Sequence, residues 1–480
     1  MLRRAAFLPF ALVAACSSSD PDNPATDAST DTSDAAEVGL LPVPEWDKPV
    51  TPPADDAAKA AREGCRYDKG ALPAETAGKS APMGASIPVE TIVVVMMENR
   101  SFDHYFQKLK ENGHPDADTA PADFSNPDAD GKPVKIFRDT KLCFVDTNHE
   151  WDGSHEQVGP KDAMDGFVKT NDKHGSPAPN GTADMLNGAR AMGYYEKADV
   201  PFMYWAADQM AIGDRYFSSL LGPTWPNRMF LYAATSFGRT SNKFADGVDV
   251  TLFDNLEKRG VTWKIYSSGT PGLGVIADRV VKYRDHVVSI DDYYADAAAG
   301  TLPQVAIVDP KIAAEAYDQN DEHPPAIMQV GQGWLAKVTT TLMKSPQWKT
   351  SALFVTYDEH GGLYDHVVPP KACAPDDRPT LPPGKPDEKF DRYGIRVPFL
   401  VISPYAKKSF VGHHVYDHTS IVRFIEAKFT LPAMTRRDAN AEAPYDMFDF
   451  ATPANLGAPL PPAVTTDPKA LSDCKAIWVK

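Results

Sequence analysis

Two stretches of the chain place acids or an amide directly behind an apolar run. In IVVVMMENRSFDHYF, residues 92–106, the run from Ile92 to Met97 leads into Glu98 and Asn99. In ALFVTYDEHGGLYDHVVPP, residues 352–370, a second run leads into Asp358 and Glu359. Taken alone, Asn99 or Ser101 could serve only as a helix cap, and Asp358 as a solvated acid at a turn. The repetition points elsewhere. Three carboxylates side by side repel one another unless a cation sits between them. A ligand set made of oxygens suits a hard cation such as Ca²⁺, Mg²⁺ or Mn²⁺ better than zinc. Glu98, Asn99, Asp358 and Glu359 are therefore expected to hold one divalent cation. Gly361 and Gly362 would let the backbone turn sharply beside it.

A hydroxyl stands at a second suggestive place. In LGPTWPNRMFLYAATS, residues 221–236, a helix is expected to begin at Trp225 or Pro226, since proline is tolerated in the first turn. Thr224 then occupies the N-cap. Its hydroxyl could simply accept a backbone N–H. A helix N-terminus also favours anions, through its free N–H groups and its dipole, and the same position would assist a threonine alkoxide. Both readings predict the same local geometry, and a neighbouring metal separates them. Most of the twelve histidines fall in four polar-aromatic stretches, DTNHEWDGSH, NDEHPP, DEHGGLYDH and HHVYDHTS. Several of these are expected to converge on one cleft, where His can stabilise phosphoryl oxygens or protonate a leaving oxygen.

Such residues need elements to hold them. Short β-branched runs recur at TIVVVMM, QVAIVD, ALFVTYD and VPFLVISP, separated by helix-like stretches such as DVPFMYWAADQM, AIMQVGQGWLAKVTTTLM and HTSIVRFIEAKF. Continuous apolar strands alternating with helices predict an α/β fold with a mostly parallel sheet covered on both faces. In open sheets of that kind, ligands gather outside the carboxyl ends of the strands. Glu98, Asn99, Asp358 and Glu359 would lie there.

The 480 residues, 42% of them hydrophobic, suffice for one large domain or two ordinary ones. A net charge of −16 argues against a nucleic-acid-binding surface. Arg3 and Arg4 precede AAFLPFALVAA and Cys16, which reads as a secretory signal peptide over residues 1–15. VAAC resembles a bacterial lipobox, in which the Cys becomes the lipidated first residue. The Ser/Thr/Asp-rich tract that follows cannot bury a core and fits a flexible tether. The expected organisation is a lipid-anchored Cys16 with tether and lead-in over 16–85, then one domain over 86–480 ending in an irregular tail. The destination is the cell envelope, at the outer membrane or cell surface. The four remaining cysteines favour two disulfides in an exported chain, and pairing of near neighbours suggests Cys65–Cys143 and Cys373–Cys474.

The segments ENRSFDHYF, NHEWDGSH, DRYFSSLLGPTWPNR, DEHGGLYDHV, RVPFLVISPY and YDHTSIVRFIE, in that order between about residues 88 and 450, resemble the bacterial phosphoesterase family of phospholipases C and related acid phosphatases. The resemblance implies an alkaline-phosphatase-like three-layer α/β/α fold. It places Glu98, Asn99, Asp358 and Glu359 at the metal site, Thr224 as nucleophile, and His149 and His323 around the phosphate. Some acid phosphatases of the family carry a further His pair after a strand like VTWKIYSSG, where this chain has Ser267 and Ser268. That departure tilts the expectation toward phospholipase C-type hydrolysis of phosphodiesters, phospholipid among them. A phosphomonoesterase with the same machinery, or an envelope protein holding structural Ca²⁺, are the alternatives.

Overall fold

The structure is a computed structural model that describes residues 39–312, 316–378, 387 and 389–479. The expected signal peptide and lipidated Cys16 lie outside the described residues. One compact unit runs from Leu40 onward. No helix among the described residues is long and apolar enough to cross a membrane.

The central sheet has eight strands: β1 (Thr91–Met97), β2 (Ala211–Gly213), β3 (Trp263–Ser267), β4 (Val287–Ser289), β5 (Val305–Asp309), β6 (Ser351–Tyr357), β7 (Phe399–Ile402) and β8 (Phe410–Gly412). Their spatial order is β8-β2-β7-β6-β1-β5-β3-β4. Only β7 opposes the others, pairing antiparallel with β6 and β2; the remaining pairs are parallel. Every residue of β1 and β6 is buried. This is the state expected of central strands covered on both faces.

Helices of eight or more residues among those described are α1 (Asp55–Glu63), α2 (Trp151–Val158), α3 (Pro201–Gln209), α4 (Thr224–Ala233), α5 (Leu252–Arg259), α6 (Ile290–Ala299), α7 (Met328–Lys344), α8 (His418–Phe429) and α9 (Pro468–Trp478). They form two packed sets, α3, α7 and α6 in one, α5, α4 and α8 in the other. The mixed α/β architecture and the mostly parallel sheet expected from the sequence are both present. VPFLVISP forms a strand as expected, but one that runs against its neighbours.

Three expectations about the chain ends and the cysteines need correction. Residues 40–85 are more than a lead-in ordered at Cys65: they carry α1, and Val43, Trp46 and Leu72 join the main hydrophobic core. The tail beyond residue 454 is not wholly irregular, because α9 closes it. The disulfides are Cys65–Cys373 and Cys143–Cys474, with Cα–Cα distances of 5.5 and 6.2 Å. Near-neighbour pairing failed because a disulfide needs Cα atoms within about 7 Å in space, and docking of both termini on the domain brings together partners more than 300 positions apart.

Candidate active site

Strand register explains why two distant sequence motifs share one edge. β1 and β6 pair in parallel from Thr91 opposite Ser351 to Met97 opposite Tyr357. Glu98 and Asp358 therefore leave neighbouring strands at the same level, and the Asp358 N–H donates to the Met97 carbonyl at 3.1 Å. Both side chains are buried. Ser101, not Asn99, caps the short helix that follows, accepting the His104 N–H at 3.3 Å. Asn99 is thus free of a structural duty.

Beyond Glu359 the chain turns through Gly361 and Gly362, at φ +67° and +70°. A Cβ on Gly361 would stand 2.2 Å from the Asn99 carbonyl oxygen, and one on Gly362 2.5 Å from the Asn148 oxygen. Only glycine fits there. The turn folds Glu359 back so that its Oε2 accepts the Gly361 N–H at 2.7 Å.

The sequence argument for a cation overlooked one already present in the chain. Arg228, wholly buried on α4, sets Nε 3.1 Å from Asp358 Oδ2 and Nη2 3.2 Å from Glu98 Oε1. The same Nη2 donates to the Met96 and Met97 carbonyls at 3.2 and 3.3 Å. Burial opposes the Arg228 charge, but Asp358 and Glu98 outweigh it and hold the guanidinium protonated. The signal was available in TWPNR, where Arg228 follows Thr224 by four positions, the spacing that puts two side chains on one helix face.

Thr224 is the first residue of α4 rather than its cap. Pro223 takes the N-cap position and makes no side-chain capping bond. The expected start at Trp225 or Pro226 was one or two residues late, because proline at 223 sets extended backbone ahead of the helix. Thr224 is 7% exposed. Arg228, one turn further along, ties this helix to the ends of β1 and β6.

His149 and His323 do meet. Their ring centroids are 5.5 Å apart at an interplanar angle of 83°. Asp146, which sequence reasoning missed, lies against both: its Oδ1 is 3.6 Å from His149 Nδ1 and its Oδ2 is 3.9 Å from His323 Nε2. His149 Nε2 stands 3.9 Å from Glu359 Oε1, which joins the pair to the acids. Burial disfavours the imidazolium of His149, but Glu359 and Asp146 outweigh it and push the group up to about 10. His323 is raised against its burial by Asp146 and Glu98. The loop bearing His323 is fixed by Glu322, which accepts from Tyr357 Oη at 2.6 Å and Gln332 Nε2 at 2.9 Å.

Most histidines of the other stretches take different partners. His360 bonds Gln157 Oε1 at 2.6 Å in the interior, and burial holds it well below the usual imidazole range. His366 bonds Asp103 Oδ2 at 2.6 Å within a buried brace in which Arg396 contacts Asp103 at 3.1 Å and Asp365 at 2.9 Å. His413 pairs with Asp214 at 2.9 Å. His418 supports the site from behind: kept neutral by burial, at about 3, its Nε2 donates to the Asp358 carbonyl at 2.8 Å. Physically, a polar-aromatic stretch marks a hydrogen-bonded loop, and several such loops brace the domain rather than line its cleft.

The donor set can be tested against a divalent cation. Among the described residues, two groups of His and acid donors lie within 4.8 Å of one another: Asp146–His149–His323 and Asp103–Asp365–His366. The second already contains Arg396. The expected quartet is not drawn together to that degree, since Arg228 occupies the gap between Glu98 and Asp358. Yet both amide atoms of Asn99 and Glu359 Oε1 are buried without a hydrogen-bond partner. Burial pushes Asp358 well above the carboxylate range, with Glu98 and Glu359 adding to the rise against Arg228. Glu359 is raised by burial against the pull of His149. Asp309 at the end of β5 is pushed up to about 6 by burial, and Asp321 to about 8 by burial and Glu98. One arginine leaves this much acid under-compensated, and idle oxygen donors remain. The residues fit a hard cation.

Residues 89–432 match the family model described as Phosphoesterase family. The chain belongs to this family. It is 32% identical over 381 residues to non-specific phospholipase C1 of Arabidopsis thaliana, covering 73% of this chain and 69% of that one. Over 444 residues it is 31% identical to phospholipase C B of Mycobacterium tuberculosis, covering 77% of this chain and 80% of that one. Among solved structures it is similar to a Vibrio parahaemolyticus protein in the alkaline phosphatase superfamily, at TM-score 0.36 and 9% identity, over 81% of this chain and 76% of that one. Membership makes this phosphoesterase a hydrolase of phosphoric ester bonds.

Proposed function

We propose that this phosphoesterase is an exported, metal-dependent phospholipase C-type enzyme that cleaves phosphodiesters through Thr224. The observation that carries the reading is the single face of α4: Thr224 opens the helix, and Arg228, four residues on, is clamped to Glu98 and Asp358. A nucleophile at a helix N-terminus is thereby held toward the edge where the acids collect. A structural Ca²⁺ site would have no use for that hydroxyl.

In this reading Thr224 releases its hydroxyl proton to solvent, and its oxygen bonds to phosphorus while the bond to the leaving alcohol breaks, leaving a phospho-threonine. His149 and His323, held cationic by Asp146 and Glu359, neutralise the phosphoryl oxygens, and one of them gives its proton to the departing oxygen. Water then attacks phosphorus and restores the hydroxyl. Glu98, Asn99, Asp358 and Glu359 would hold the divalent cation, Ca²⁺ or Mg²⁺/Mn²⁺. When bound it supplies a positive centre beside the reacting oxygens.

The substrate reading rests on the phospholipase C relatives and on Ser267 and Ser268 at the end of β3. Purified enzyme offered a phosphocholine diester and a phosphomonoester, with and without chelator, tests it. Faster turnover of the diester, lost on chelation, is the expected result; cleavage of the monoester alone would replace the reading with a phosphatase. For export, the Arg3–Cys16 segment supports a lipid anchor on Cys16. Cys16→Ala should move the protein from the membrane fraction to the soluble one, and unchanged detergent partitioning would exclude the anchor.

A further inference from the structure

Beside the reacting end of α4 lies an aromatic pair that the hydrolytic chemistry does not use. Trp225 follows Thr224 directly, about 3.8 Å along the backbone, and is half-buried. Its ring centroid is 5.0 Å from that of Phe244, tilted by 46°, and Phe244 is 56% exposed. The loop bearing Phe244 is pinned in place. Asn242 Oδ1 accepts the Trp225 N–H at 2.9 Å, Arg239 Nε donates to the Phe244 carbonyl at 3.0 Å, and the Ala245 N–H donates to Val275 at 3.1 Å. The exposed ring therefore sits on a fixed support at the helix start. Trp151, two residues after His149 and half-buried, stands 3.3 Å from where a Cβ of Gly222, two residues before Thr224, would be. Aromatic rings thus pack at chain positions on both sides of Thr224, against Gly222 and at Trp225.

Two chemistries favour aromatic side chains beside a phosphoester: a quaternary ammonium, which needs ring faces around it, and hydrocarbon, which needs only apolar area. Trp225 and Phe244 touch each other, so no slot for an ammonium remains between them. What they offer is a ledge. We propose that this ledge is a specificity-determining surface for the hydrocarbon part of the substrate, so that the preferred ester carries acyl or alkyl chains close to its phosphate. The inference rests on Thr224 marking the reacting end of the site, and it adds residues that choose the substrate without touching the reacting atoms.

The test compares two phosphodiesters that share a headgroup and differ only in chains: monomeric dihexanoyl phosphatidylcholine and glycerophosphocholine. Covering about half of the exposed Phe244 surface corresponds to roughly tenfold in affinity. The full-length protein should prefer the acylated ester by about tenfold or more in kcat/KM. Phe244→Asp and Phe244→Ser should each reduce that ratio at least fivefold, chiefly through KM, with melting temperatures close to the parent's because the residue is exposed. A ratio within twofold of the parent in both variants, or no preference in the parent, overturns the ledge. If the parent cleaves only phosphomonoesters, the diester reading falls separately. The same variants are then compared on hexyl phosphate and methyl phosphate, where a retained chain preference in both overturns the ledge and its loss supports it.

Discussion

Arg228→Met is the most informative perturbation, because it removes one charge and exposes what that charge was holding. The guanidinium is wholly buried and contacts Asp358, Glu98 and two strand carbonyls within 3.1–3.3 Å. Methionine keeps much of the volume but leaves two buried carboxylates facing each other without a partner. Breaking a buried pair in this way costs about 3–5 kcal/mol. With an unfolding entropy of about 2 cal/mol/K per residue, a folded unit of roughly 440 residues should lose about 4 °C in Tm at neutral pH. The deficit has a pH signature. Asp358 already sits well above its ordinary range, and loss of Arg228 raises it further. The folded variant then binds protons that the unfolded chain releases, so its stability falls as pH rises. The Tm gap to the parent should accordingly widen as pH rises, and millimolar Ca²⁺ or Mg²⁺ should narrow it. Arg228→Lys keeps the charge without the planar fork and should recover part of the stability. Calorimetry across pH, with and without cation, makes the measurement. A variant that melts within 1 °C of the parent throughout, with undiminished turnover, would refute the view that Arg228 compensates the acids.

Thr224→Ala should abolish phosphoenzyme in acid-quenched mass spectra and lower kcat by several orders of magnitude at near-parent Tm. Thr224→Ser should retain much of the activity, and a well-folded Thr224→Ala enzyme turning over near the parent rate would exclude the covalent route. His366, pushed up to about 9 by Asp103 and Asp118 against its burial, contributes stability that is complete below about pH 6.5 and disappears as pH rises through 9. Tm should therefore fall more steeply between pH 7 and 10 in the parent than in His366→Gln, and equal slopes would remove His366 from the brace. Cys474→Ser should cost about 2–4 kcal/mol and loosen α9, whose end is otherwise held by Asn180 donating to the Ile477, Ala476 and Val479 carbonyls. Limited proteolysis should then cut ahead of Pro468 first, whereas unchanged digestion would mean the helix docks without the disulfide.

The sequence by itself determined the local chemistry and the kind of sheet. TIVVVMM and ALFVTYD could only be buried strands, and HTSIVRFIEAKF matches α8 residue for residue. The acids at the ends of those strands and the glycines after Glu359 were legible because an apolar run that stops in charge, or a paired glycine, has few physical explanations. Tertiary structure decided how the pieces were joined. That Glu98 and Asp358 share one edge follows from the β1–β6 register, which no local pattern encodes across a separation of 260 positions. Arg228 looked like an ordinary helix residue until burial turned it into the counter-charge of two strand ends. The histidines looked alike in sequence, yet His149 and His323 meet at Asp146 while His366 and His413 serve other carboxylates, because an imidazole's role is set by the groups packed around it. The cysteine partners were likewise invisible locally, since a disulfide depends on distance in space, which only the docked termini supplied.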